Sequence, residues 1–500
     1  MRHGTPARPT AALISHRLYT TSIVWLRRDL RLADHAALFA AATRSERVVL
    51  AFVLDPELLR GPRVGAPIVQ FFFSSLGVLR AALREAGADL ALLEGDFAAE
   101  LAGLAQRVDA QAVFYNVDYD PEMHARDERV AAELRGRKLD VHAFVDHVYA
   151  AAGEIVQSSG KPYTVFTPYR KRWQAAFADR PRAPFASRAA AQGKLLAASA
   201  IGATRDVPRP EAYGHTTSSR FPAAGFVEAE RLLDRFLADH ITTYLDGRNL
   251  PAVAGTSGLS PHLRAGTIGI RACVSAALDA RARASVKAAA NIDGWIGELI
   301  WRDFYAGLLV HFPHVAHEPF LAAGASIAYV RDAAGYAAWC AGSTGYPIVD
   351  AAMIQLNTTG WMHNRLRMIV ASFLTKHLLI DYHAGERYFE QHLADADLAA
   401  NNGGWQWSAS VGTDAAPYFR VFNPTLQGKT FDPDGAFVRA MIPALAQVPE
   451  KFVHEPWTMP PILAATCGVT VGRDYPAPIV DHASARARAI GVYGSALKRR

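Results

Sequence analysis

Between Ser22 and Ala150 short apolar runs alternate with amphipathic stretches. SIVWLRR is β-branched and aromatic, then turns polar. VVLAFVLD reads as a buried strand closed by Pro56, and DLALLEG, QAVFYN and LDVHAFV are three further strands. Pro67 to Ala86 repeats its apolar residues at helical spacing. Strands separated by helices predict a parallel, doubly wound α/β sheet over residues 22–150. No glycine-rich fingerprint follows the first strand, so no dinucleotide site is expected there.

Periodicity fades over 151–225, where Pro, Ser, Arg and Ala dominate, as in PRAPFASRAAAQGK. This predicts a long surface connection between domains. Its start, KPYTVFTPYRKRW, carries more pattern. From Phe226 the spacing becomes helical, as in EAERLLDRFLADHITTYL and ELIWRDFYAGLLVHF, and an all-α domain is expected over 226–500. Asn-Gly-Gly and Pro-Thr-Leu-Gln-Gly are read as turns within it. No internal repeat is visible, and the tail after Cys467 reads as a short ordered extension.

Five hundred residues suit two or three cores. Half the residues are apolar and a fifth charged, as in a soluble globular protein. A net charge of +6 permits a polyanionic partner but equally fits an enzyme with scattered surface charge. Cys273, Cys340 and Cys467 form no CxxC pair, which removes zinc and redox-motif readings and suits a reducing cytoplasm. No uninterrupted apolar run approaches the roughly 20 residues that span a bilayer. The first residues, MRHGTPARPTAALISHRLYT, do not fit a secretory signal and are expected to form a disordered extension over 1–21, or to reflect an early start codon.

The densest chemistry lies between Thr344 and Trp407. Indoles, arginines, asparagines and the pair Asp395 and Asp397 gather there without a metal-ligand or nucleophile signature. Such a mixture suits a planar redox cofactor beside a planar, electron-accepting substrate. Along TGWMHNRLRM, helical spacing puts Trp361, Asn364, Arg365 and Met368 on one arc. An ordinary buried helix with two exposed arginines is the plainer reading of that arc. DADLAANN could equally be a helix start with an Asp as its cap, and Glu298 in ELIWRDFY a surface helix acid.

These motifs, with TSGLSP and YFRVFNPTLQGK, resemble the photolyase/cryptochrome family, most closely bacterial class I cyclobutane pyrimidine dimer photolyases. The resemblance implies an antenna-bearing α/β domain, a linker, and a helical FAD domain. It implies light-driven reversal of cyclobutane pyrimidine dimers in DNA by a monomer, with reduced anionic FAD as electron donor. A blue-light receptor of the cryptochrome kind, without repair, is the alternative. Asn401 in place of an acid, Glu298, Trp301 and Met368 together favour repair. A six-four photolyase would carry a His pair where Asn364 and its neighbours stand.

By the same resemblance, Arg367 pairs with Asp395 beside the flavin, Asp397 accepts from the ring's imide edge or the ribityl hydroxyls, and Asn401 faces N5. Tyr244, Thr256, Ser257, Gly258, Leu259 and Ser260 would clamp the FAD diphosphate. Trp301 and Trp407 would wall a flipped-out dimer, whose extrusion costs less than that of a normal pair. Glu298, protonated in an apolar pocket, would donate to the dimer's carbonyl groups. Asn364 and Met368 would meet the dimer. Arg248, Arg302, Arg365, Arg420 and Gln427 would contact the strand, positioning it without reading its sequence.

Two departures stand out. The electron wire keeps Trp405 but has Tyr382 and Tyr329 where the family has tryptophan, which predicts slow photoreduction, or a route through Trp339 or Trp361. Asn116, Tyr119 and Asp120 resemble a folate-contact segment, yet Asp120 replaces a Glu and Ala316 stands near a lysine position. A methenyltetrahydrofolate antenna is preferred to a deazaflavin, and no antenna is also open. No metal is expected.

Overall fold

A computed structural model describes residues 18–498. The extension expected over 1–21 lies outside the described residues as far as residue 17, and Tyr19–Thr21 already belong to the first strand. Five strands, β1 (Tyr19–Leu26), β2 (Ser45–Leu54), β3 (Leu90–Glu94), β4 (Ala112–Asn116) and β5 (Asp140–Phe144), form one parallel sheet of order β3-β2-β1-β4-β5. All five expected strands are present. Val24 pairs with Leu50 on one side and Phe114 on the other.

Helices cover both faces, which is why these strands read as continuous apolar runs rather than alternating ones. Val24 and Leu26 pack with α1 (Ala36–Arg44) and α2 (Ala66–Glu85). Their neighbours Ile23 and Trp25 pack with α3 (Phe97–Val108) and α4 (Pro121–Gly136). By length and composition α2 could cross a membrane, but Phe73, Leu76 and Leu79 are buried in the domain core.

The segment 151–225 is not a plain surface connection. It contains α5 (Phe166–Phe177), whose Phe166, Tyr169, Trp173 and Phe177 join the core around Phe304. Farther on, the chain returns to the sheet: Val48 N donates to Lys194 O and Arg205 N to Leu92 O. Local polarity hid these contacts because Phe166, Tyr169, Trp173 and Phe177, though at helical spacing, stand in a segment dominated by Pro, Ser and Arg.

The remainder is helical around α7 (Val286–His311), which α6 (Ser260–Ala265) precedes. Then come α8 (Pro347–Thr359), α9 (Asn364–Ser372), α10 (Tyr382–His392), α11 (Leu398–Ser408), α12 (Pro424–Phe431) and α13 (His482–Leu497). Both expected turns are helical instead. Asn402-Gly403-Gly404 lies inside α11 and Pro424–Gly428 opens α12. Gly403 is there for packing, since a Cβ would sit 2.2 Å from Tyr305 Cε1. The tail is structural too: Ala489 and Tyr493 of α13 are fully buried.

Candidate functional site

Helix α8 stops at Gly360, whose φ of +66 lies in the left-handed region. Helix α9 starts only at Asn364, with the His363 side chain accepting from Arg365 N. Trp361 therefore does not share a helical arc with Asn364, Arg365 and Met368, contrary to the periodicity. It lies in the link between the helices, with its indole Nε1 3.3 Å from Ser260 Oγ. Ser260, the first residue of α6, is thus placed against the α8–α9 link. Burial and the neighbouring Arg367 and Arg365 push His363 down to about 4, so its ring is neutral near pH 7.

Arg367 turns away from the Asn364–Met368 side, as expected. Its Nη2 lies 2.7 Å from Asp395 Oδ2, and its Nε donates to Met362 O. Asp395 Oδ1 is buried without a hydrogen-bond partner among the described residues. Asp397 behaves differently from the expectation. It caps α11 by accepting from Ala400 N, while its Oδ2 accepts from Tyr119 at 2.7 Å and from Arg28 in a close ion pair. Burial opposes its charge, yet Arg28, Arg302 and Arg264 hold it well below the usual carboxylate range. The acceptor left open is Asp395, not Asp397. Arg28 was missed because its partner is 369 residues away.

On α11, Asn401 Nδ2 donates to Glu386 O and Asn402 Nδ2 to Glu386 Oε1, both at 3.0 Å. The Asn401 amide is thereby oriented by α10. Burial raises the Glu386 carboxyl to about 7. Trp405 is buried over Gly385, where a Cβ would sit 2.1 Å from the indole. It meets Phe389 and Trp339 edge-on, at 5.0 and 6.1 Å between ring centroids. Tyr382 opens α10 with a buried phenol that has no hydrogen-bond partner among the described residues, and burial pushes it well above its ordinary range. Tyr329 is half-buried, with its ring edge against Tyr493.

A more open rim lies along α7 and α9. Glu298 Oε1 pairs with Arg248 Nη1 at 2.8 Å, and both side chains are partly accessible. Burial raises the Glu298 carboxyl above its ordinary range, against the pull of Arg248. Arg365 donates to Asn249 Oδ1, touches Met368 Sδ at 3.6 Å and lies over Phe431 of α12. Asn364 and Arg420 are exposed, and Trp407 and Gln427 half-buried. One face of Trp301 is covered by Phe166, stacked at 3.6 Å. Arg302 is not on this rim as expected. Its guanidinium holds the carbonyls of His147 and Leu263, tying the two domains. Tyr244 is buried beneath the Arg248 guanidinium.

In the α/β domain, Asn116 and Asp120 are committed to the fold. Asn116 is fully buried, donating to Asp29 Oδ2 and accepting from Ala37 N. Asp120 caps α4. A cleft of about 480 Å³ opens instead at the carboxyl ends of β2 and β3, lined by Leu54, Arg60, Glu94, Arg205 and Tyr213. The cleft is on the carboxyl-end edge where open α/β sheets bind ligands, but beside β2 and β3 rather than at the β1–β4 switch point. The sequence signal was divided between a strand and the supposed linker.

The FAD expected here can be tested against the residues present. Asp395 Oδ1, Arg264 Nη1 and His363 Nε2 are buried polar atoms without partners among the described residues. A Cβ at Gly258 or Gly404 would meet nothing within 4 Å. Unsatisfied donors and an acceptor beside open backbone fit a polar, planar ligand. Among the described residues no group of three His, Cys, Asp or Glu is placed to hold a metal ion.

Comparison with known proteins agrees. Residues 22–187 match the DNA photolyase family model, and 295–495 match the FAD binding domain of DNA photolyase. The chain is 41% identical to deoxyribodipyrimidine photo-lyase of Escherichia coli (strain K12), over 96% of this chain and 99% of the relative. A class III photolyase structure from Agrobacterium tumefaciens superposes with a TM-score of 0.87 at 36% identity, covering 98% of this chain and all of that one. An archaeal photolyase from Sulfolobus tokodaii, solved with two FAD molecules, gives 0.80 at 30% identity over 95% of this chain and all of that one. With both domains matched and such identity over nearly its whole length, the chain belongs to the DNA photolyase family.

Proposed function

We propose that this protein is a carbon–carbon lyase that reverses cyclobutane pyrimidine dimers in ultraviolet-damaged DNA under blue light, acting as a monomer. FAD held in the site, reduced and anionic, would lend the electron that opens the dimer and take it back once the ring has split. The single observation that carries the reading is the pair of part-accessible Arg367 with buried Asp395, one carboxylate oxygen of which is left free. It offers a fixed cation and one acceptor at the same point. Asn401 adds an amide without charge, oriented by its bond to Glu386 O, where a carboxylate would oppose an anionic ring. Thr256–Ser260 and Tyr244 would hold the remainder of the cofactor. On the rim, Glu298, whose carboxyl burial raises above its ordinary range, would donate to a pyrimidine carbonyl when protonated. Trp301, Trp407 and Met368 supply apolar contact for an everted dimer. Arg248, Arg365, Arg420 and Gln427 would position the strand.

The test is illumination of purified protein with a dimer-containing oligonucleotide, scoring restored thymines. A yellow, light-responsive protein that restores none would establish the receptor reading instead. A colourless protein from which no flavin is recovered on denaturation would end both.

We infer that the electron that refills Trp405 during photoreduction would come from Trp339 rather than Tyr382. The Trp339 indole contacts Trp405 directly, whereas oxidised Tyr382 would have no hydrogen-bonded group to take its proton. Flavin reduction under blue light with a thiol donor should survive Tyr382→Phe and fail in Trp405→Phe and Trp339→Phe. Normal rates in Trp339→Phe would exclude the route. A second pigment is best placed in the strand-end cleft by Arg205 and Tyr213, since Asn116 and Asp120 are already engaged. Tyr213→Ala should then remove any near-ultraviolet band while sparing the flavin bands.

A further inference from the structure

Three consecutive residues, Asp395, Ala396 and Asp397, are each held by a different arginine. Arg367 of α9 binds Asp395 at 2.7 Å. Arg264 of α6 donates from Nε to Ala396 O at 2.6 Å. Arg28, in the loop after β1, pairs with Asp397. The third clasp crosses from one domain to the other. Arg28 is itself fixed from several sides. Its Nη1 binds Asp118 Oδ1 at 3.2 Å, its Nη2 reaches Tyr119 Oη at 3.2 Å, and its Nε donates to Arg264 O at 3.3 Å. Its backbone is equally constrained, since a Cβ on Gly266 would lie 1.9 Å from Arg28 O.

A cation buried this firmly is expensive unless its carboxylates neutralise it, and the reverse holds for Asp397. The cluster sits at the first turn of α11, the helix that presents Asn401, Trp405 and Trp407. A carboxylate there is favoured by the helix N-terminus, but as a helix cap it needs no arginine. The extra cation and the Tyr119 hydroxyl therefore do something the cap alone does not.

We propose that Arg28 and Tyr119 of the α/β domain are positioning residues for the flavin side of the site: they neutralise Asp397 and fix the start of α11, so that Asp395 and not Asp397 faces the cofactor. The α/β domain thereby sets the electrostatic surroundings of the reducing centre, beyond any role as a pigment carrier. The inference rests on the reading that FAD lies against Asp395–Trp405.

The experiment compares holoprotein carrying Arg28→Gln, Tyr119→Phe, Asp397→Asn and the Arg28→Gln/Asp397→Asn pair, by flavin reduction potential and by thermal unfolding. Arg28→Gln takes the shared cation from two buried acids, Asp397 and Asp118, leaving Arg302 and Arg264 near Asp397. The potential should move to more negative values and flavin should dissociate faster. The double variant should return the potential part of the way toward wild type, because Asn still caps the helix and needs no cation, while Asp118 keeps its charge without Arg28. Tyr119→Phe, which removes one hydrogen bond and no charge, should shift the potential in the same direction by less, and it serves as the readout should Arg28→Gln not fold. Lower unfolding temperature with an unshifted potential in Arg28→Gln or Tyr119→Phe would make the cluster a domain clasp only and overturn the proposal. Wild-type protein without recoverable flavin would overturn the cofactor reading on which it stands, whereas flavin-bearing wild type with unshifted variants overturns the positioning role alone.

Discussion

The Asp395–Asp397 floor and the Arg248–Glu298–Arg365 rim both join arginine to acid, but they use the pairing in opposite ways. On the floor each acid is almost completely buried, although Arg367 is as accessible as the rim's Arg248, and each arginine reaches its acid, or the backbone between the two, from a separate element. On the rim Glu298 and Arg248 are both part-accessible, and Arg365 spends its hydrogen bonds on a neutral amide and a thioether. Exposed ion pairs gain little and exchange partners readily, whereas a buried pair that loses one member is left with an uncompensated charge. The difference separates a fixed seat for a cofactor from a surface that can trade its internal pairs for phosphates and bases.

The sharpest way to break this comparison is on the floor. Arg367→Met leaves Asp395 buried with no cation, and should cost about 3–5 kcal/mol of stability together with retention of flavin. Denaturant unfolding and absorbance after gel filtration check it. A loss below 1 kcal/mol would mean that the floor is as adaptable as the rim. Glu386, just behind the floor, gives the next largest effect. Its carboxyl is raised from 4.5 to about 7 by burial, so the folded protein holds that proton more tightly than the unfolded chain. Stability from this group is present below about pH 4.5 and declines as pH rises toward 7. Glu386→Gln should flatten that decline and add up to about 3 kcal/mol above pH 7, with Gln still able to accept from Asn402. Unchanged pH dependence in the variant would show that burial does not raise the Glu386 carboxyl in the folded protein.

How much of this was legible in the chain follows the range of the interactions involved. Strands β1 to β4 were legible because burial on both faces leaves apolar runs of local origin, whereas β5, DVHAF, is a half-buried edge strand marked by its Val and Phe. The Arg367–Asp395 pair was legible only through a family pattern, since 28 residues separate its members. The Arg28 clasp was not, because two adjacent arginines after a strand resemble any polar turn. Trp361 was misplaced because a continuous helical period ran across Gly360, where the backbone turns left-handed. The helix Phe166–Phe177 was partly hidden by averaging over a polar segment. Gly403 and Gly404 read as a turn because glycine is a poor helix former, yet Gly403 is required by the Tyr305 ring.

On the rim the effects should be smaller and set by pH. Burial raises Glu298, so its carboxyl keeps a proton to donate at higher pH than an exposed acid, and loses it as pH rises through that raised value. Binding of a dimer-containing oligonucleotide should therefore weaken with rising pH in the wild-type protein. Glu298→Gln retains a donor that does not titrate and should flatten the profile. Glu298→Ala should weaken binding by roughly tenfold, the worth of about one hydrogen bond. A Gln variant that keeps the wild-type slope would assign the pH dependence to another group.

The smallest effect returns to the floor and asks whether its open face belongs to the cofactor. Gly404 lies three residues after Asn401 on α11, so the two share a helix face. A Cβ there meets nothing within 4 Å, unlike its neighbour Gly403. Alanine is the better helix former, so Gly404→Ala should stabilise the flavin-free protein by about 0.5–1 kcal/mol. If flavin occupies the space that glycine leaves, the same methyl group should weaken flavin retention, and the two measurements should move in opposite directions. Stabilisation with retention unchanged would place the flavin elsewhere than over this face of α11, and would leave the floor's free acceptor, Asp395, as the remaining local argument for where it sits.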